Sequence, residues 1–240
     1  MPVSSFASLL QTRISADLTA CLSDASWGAG DTDARGEGIE WASAPLDGFS
    51  LLLRTHVTSH DARGSRFQTL VGLCSSAISA VEGEAGFAQL FDGKHRSHRD
   101  LVISLYAEGL HRRLNGGDIQ LMRWNSDDGL VHGNHWRASI ECCLQRLRPI
   151  SVQPARRIHD LFEIDELGTD KPSPVTMHRA PHVLAAEICI ALGDVASARS
   201  FLRQGREAKW AVKSGFRTPF LVDLSERQGV LLEDYCNNRH

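Results

Sequence analysis

The chain has 240 residues, 42% hydrophobic and 23% charged, enough apolar material to bury a core in one large domain or in a domain with a smaller companion. Its formal net charge of −3 excludes the broad basic field of a general nucleic-acid binder, and no uninterrupted apolar run reaches the roughly 18 residues of a membrane span. The N-terminus has no basic stretch ahead of an apolar one, and six cysteines without a C-x-x-C spacing fit neither a zinc knuckle nor a disulfide framework, so a soluble cytoplasmic protein is expected.

Helical spacing of Phe6, Leu9, Leu10, Ile14, Leu18 and Leu22 predicts a helix over 4–23, followed by a Gly- and Asp-rich acidic loop over 24–38. Strands are predicted at 39–43 and 49–59, joined by a turn over 45–48 into a hairpin. The residues Phe67, Leu70, Val71, Cys74, Ala77, Ile78 and Val81 recur at helical spacing, which predicts the strongest helix of the protein over 66–81. A short helix at 87–91 follows. A capping box opening at Ser97 predicts a further helix to Leu114, although Leu101–Tyr106 also reads as a strand.

Strands at 119–124 and 129–132 form a second expected hairpin. Asn134 then caps a helix over 136–147, ending before Pro149, and Pro154 opens a short helix to about Glu163. The Gly- and Pro-rich stretch 168–176 reads as a linker between a domain at 1–167 and a helical unit at 177–240. That unit comprises helices over 181–192, 195–213 and 219–235, with Asp194 and Thr218 as caps. The expected fold class is α+β, a small antiparallel sheet packed by helices with an all-helical C-terminal unit.

Ala186, the turn Gly193-Asp194, Ala198 and Leu202 stand at the offsets of a tetratricopeptide-type helical hairpin, which residues 182–212 resemble. The resemblance implies two closely packed helices and a protein-contacting unit. Trp210 stands where that repeat usually carries proline, and the chain holds no second copy.

None of the phosphate-loop, dinucleotide, nucleophile-elbow or H-E-x-x-H patterns occurs, so no cofactor is expected. Eight of the eleven histidines form close pairs: His56/His60, His95/His98, His132/His135 and His178/His182. On a strand, His56 and His60 face one side but stand roughly 13 Å apart. The glycine in His132-Gly133-Asn134-His135 lets both rings turn to one point, yet two ligands fall short of the three or four a zinc ion takes.

The basic run containing His95, Arg96 and Arg99, ahead of an expected helix start, is a candidate anion site. Arg123, Trp124, His132, His135 and Arg137 group residue types enriched at protein-binding hot spots, and form the candidate binding segment. Two functions follow. One is a non-enzymatic protein-binding protein, within that class an immunity-type inhibitor contacting a bacterial toxin through the acidic loop 24–40 or the Arg123–Arg137 segment. The alternative is a histidine-rich, metal-dependent hydrolase drawing on His56, His60, His132 and His135.

Overall fold

In the computed structural model of the protein, the residues described are 31–32, 38–43, 45–61, 64–90, 101–125, 129–131, 133–169, 173–177, 179–212 and 219–238. The strands among them are β1 (Asp31–Thr32), β2 (Gly38–Ala42), β3 (Phe49–Asp61), β4 (Gly64–Ser75), β5 (Leu101–Tyr106), β6 (Met122–Asn125), β7 (Gly129–Val131) and β8 (Val175–Met177). The helices are α1 (Ser76–Glu84), α2 (Ala107–Asn115), α3 (Gly133–Val152), α4 (Asp160–Leu167), α5 (Pro181–Ala191), α6 (Val195–Glu207) and α7 (Pro219–Asn238), with a 3₁₀ turn at Phe87–Leu90. The class is α+β, as expected. Among the described residues no helix is long and apolar enough to cross a membrane.

Two compact units divide the chain. The first takes its residues from the stretches up to Pro45, Ser50–Gly72 and Leu105–Leu147; the second takes Leu46–Phe49, Leu73–Ser104 and Arg148 onward. None of the five boundaries along the chain falls in the expected linker 168–176.

In the first unit the strands follow the order β1-β2-β3-β4-β6-β7. The β2–β3 pairing is antiparallel, with Trp41 opposite Leu53 and Ile39 opposite Thr55. Strand β6 joins β4 with Met122 opposite Phe67. One face of this sheet is inner: Trp41, Leu53, Thr55, Phe67, Thr69, Val71 and Met122 are all buried. The alternate residues Arg54, His56, Arg66, Gln68, Leu70 and Arg123 are half-buried on the outer face. Trp136, Ile140, Cys143, Leu144 and Leu147 of α3 and Leu110 of α2 are buried in the same unit.

The helix expected over 66–81 is a strand followed by a helix. From Ser65 to Ser75 every second residue is buried, with Gly72 the one addition, and Ser75 then caps α1 by accepting a hydrogen bond from the Ile78 N–H at 3.1 Å. The run is apolar enough to fit both periods, and Ser65 and Thr69 hide the alternation by placing polar residues inward. The expected helix from Ser97 is likewise corrected: Leu101–Tyr106 is a strand, buried from Leu101 to Leu105, and the helix begins only at Ala107. Helix α3 continues through Pro149 to bury Ile150, and residues 154–159 form turns ahead of α4 instead of a helix. The expected helix over 4–23 lies outside the described residues, as does most of the loop over 24–38.

In the second unit, β5 lies beside β8, and α5 packs against α1, α4, α6 and α7. Every residue from Val183 to Ile190 is buried, which marks α5 as the central helix of the unit. The turn to α6 places Gly193 at φ +82°, and Asp194 accepts from the Ser197 N–H at 3.0 Å. The α6–α7 contact closes on Trp210, whose ring fills space where a Cβ at Gly205 or Gly229 would collide with it.

Candidate functional site

The first unit holds a buried acid at the junction of a strand and two helices. Glu108 lies in the first turn of α2 and is 2% exposed. Its Oε2 accepts a hydrogen bond from the Thr69 N–H of β4 at 3.2 Å. The Thr69 Oγ1 accepts in turn from the Trp136 Nε1–H of α3 at 2.7 Å, so one threonine ties all three elements together. Among the described residues the Oε1 of Glu108 has no hydrogen-bond partner. Burial pushes the Glu108 carboxyl up to about 7; the N–H groups of Glu108 and Thr69 and the Thr69 hydroxyl pull it down without cancelling the rise. Cys143 of α3 is fully buried nearby, its thiol held well above the usual range by burial first and then by Glu108 and Cys142, with Arg146 opposing. A thiol in that state is inert as a nucleophile.

The second unit holds a buried ion triad. Nη1 of Arg179, just ahead of α5, donates to both carboxylate oxygens of Glu187, at 2.8 and 2.7 Å, and also pairs with Glu82 of α1. Burial raises the Glu187 carboxyl, opposed by Arg179. Burial alone would lower the Arg179 guanidinium, but the carboxylates of Glu187 and Glu82 hold it protonated. The adjoining Ala180 N–H donates to Ser225 Oγ of α7 at 2.9 Å, and Tyr235 of α7 bonds to Glu84. These contacts bind α1, α5 and α7 to one another.

The candidate binding segment is dispersed. Arg123 sits on the outer sheet face, half-buried and opposite Arg66 of β4. His135 belongs to α3, next to the Trp136 that bonds to the inner face, and its ring meets His111 of α2 edge-on with centroids 4.5 Å apart. Arg137 is exposed on α3. Trp124 lies on β6 opposite Ser65, and the rest of its surroundings, like His132, falls outside the described residues. Arg123 therefore belongs to the outer sheet face, and His135 and Arg137 belong to α3.

The histidines fare similarly. His56 lies on the outer face of β3 and His135 in the first turn of α3. His182 packs edge-on against Phe162, and burial lowers its pKa, with Asp165 opposing. Among the described residues no group of three His, Cys, Asp or Glu side chains is placed to hold a metal. The anion candidate His95, Arg96 and Arg99 lies outside the described residues.

Sequence reasoning passed over Glu108, Arg66 and Arg179. Glu108 carried a signal, since it is the only charged residue between Leu101 and Leu110. Glu187 carried the same signal within Val183–Leu192. Arg66 carried none, because its meaning depends on which strand lies beside it. Compared with known families, curated proteins and solved structures, the chain matches no family model, no curated protein and no solved structure.

Proposed function

We propose that the protein acts by binding another protein and does no chemistry of its own, within that class as an immunity-type inhibitor that neutralises a bacterial toxin by direct contact. What supports this reading is how the ionisable groups are used. The buried acids serve as fastenings: Glu108 joins α2 to β4, and Glu82 and Glu187 grip Arg179. Catalytic acids and bases need an open path to a substrate, and Glu108 and Glu187 are buried from solvent. Five arginines of the first unit lie toward the surface instead, Arg112, Arg113 and Arg137 being exposed and Arg66 and Arg123 half-buried. Arginine is among the residues enriched at protein-binding hot spots.

The reading is tested by native mass spectrometry of the protein drawn gently from its own host. A stoichiometric protein partner is the expected result. A bare chain, or one carrying only a metal ion, would overturn it.

A further inference from the structure

On the outer sheet face of the first unit, Arg66 of β4 stands directly opposite Arg123 of β6. Residues opposed across an antiparallel pair share a face, with Cβ atoms about 4.5–5.5 Å apart, and like charges so placed repel. The same face carries Arg54 of β3, which is paired with Glu40 of β2. The fold thus neutralises one arginine of this face and sets two others against each other. Among the described residues, neither Arg66 nor Arg123 has a carboxylate partner. Both side chains are half-buried, so they surrender less rotamer freedom on binding than fully exposed arginines would.

We propose that Arg66 and Arg123 together form the docking site for carboxylates on an acidic protein surface. This rests on the protein-binding reading above and names its site and the chemistry of its partner. The guanidinium fork matches a carboxylate in a bidentate arrangement, and two adjacent forks accept either two carboxylates or one held between them. Such a partner removes the repulsion between the arginines, so the site is complementary to negative charge by construction. A phosphate group would meet the same forks. Two forks on one short stretch of sheet fit a local pair of carboxylates and are too few to track an extended phosphate backbone, which needs a broad basic field that a net charge of −3 does not provide.

The test is the binding of a fluorescent peptide rich in Asp and Glu, followed by anisotropy, with the full chain and the variants Arg66→Gln, Arg123→Gln and the double. Each single change is expected to weaken peptide binding about tenfold or more. Arg203→Gln, which removes the same charge from the exposed side of α6, is expected to leave it unchanged. The unfolding midpoints of the sheet variants are expected to stay or rise, because the repulsion is relieved; a merely structural role for either arginine would lower them. Wild-type protein that does not bind the peptide, or binding indifferent to both sheet arginines, overturns the proposal. So does tighter binding, through the same arginines, of a single-stranded oligonucleotide of equal charge. A native partner retained by the double variant overturns this site and leaves the protein-binding reading standing; a chain with no partner overturns the reading itself.

Discussion

Each unit of the molecule buries acidic side chains, and the two units keep them in opposite ways. In the second unit Glu187 is fully buried beside a cation, gripped by Arg179 at both oxygens, with Glu82 on the same guanidinium. In the first unit Glu108 is as deeply buried, and only the uncharged donors Thr69 and its own backbone act on it. A buried charge must be paired or lose its charge. The triad follows the first course. Glu108 follows the second, and at neutral pH it stands near the midpoint between acid and carboxylate. One fastening should therefore fail when its cation is removed, and the other should respond to pH.

The largest expected effect comes from cutting the triad. Arg179→Met leaves the buried Glu187 and the half-buried Glu82 without their cation and should destabilise the second unit by about 3–5 kcal/mol, read in urea melts followed by circular dichroism. A loss under 1 kcal/mol would mean that the acids are held by something other than Arg179.

Next is Glu108→Gln, which keeps the shape and removes the ionisation. The folded pKa of Glu108, about 7, lies above its ordinary value of 4.5, so the folded state holds the proton more tightly. Its contribution to stability is then fully present below about pH 4.5 and is lost as pH rises through 7. The rise corresponds to about 3 kcal/mol, the most by which the glutamine variant should exceed wild type above pH 8. Urea melts at a series of pH values read this directly. A variant whose advantage does not grow with pH would show that Glu108 stays ionised.

Two smaller substitutions address the contacts around each fastening. Gly229→Ala would put a Cβ 2.5 Å from the Trp210 ring and should cost about 1–3 kcal/mol by forcing α6 and α7 apart, seen as a lower thermal midpoint. Trp136→Phe keeps the ring packing and removes the bond to Thr69, for about 1 kcal/mol. If the phenylalanine variant were as stable as wild type, Thr69 would not be the tie between β4 and α3.

The second unit was the more legible from sequence. Helix α5 is apolar all round, Pro181 opens it, and Asp194 caps α6, so local chemistry and final structure agree. The first unit was legible at β2, β3, β6 and β7, where alternation and turn residues coincide; Asp47 and Gly48, both at positive φ, make the β2–β3 turn. It was illegible at β4. Its inward residues include Ser65, Thr69 and Ser75 as well as Phe67, Val71 and Leu73, so hydrophobicity alone reads a helical stripe. Thr69 faces inward because Glu108 and Trp136 satisfy it there, a long-range arrangement no local pattern announces. Leu70 illustrates the consequence: helical spacing assigns it to a buried stripe, and the strand turns it to the half-buried outer face.

The candidate site was legible only in part. Arg123 was singled out for its neighbours in sequence, His132, His135 and Arg137. The residue that faces it in space is Arg66, nearly sixty positions earlier, and only the β4–β6 register brings the two together.

On the proposed reading the buried acids hold the fold and the outer-face arginines bind the partner. The most direct test of this reading is native mass spectrometry of three chains expressed in the same host: wild type, Glu108→Gln and Arg66→Gln/Arg123→Gln. The expected result is one protein partner on wild type and on the Glu108 variant, and none on the double arginine variant. A partner that stays with the arginine variant and leaves with Glu108→Gln would contradict it.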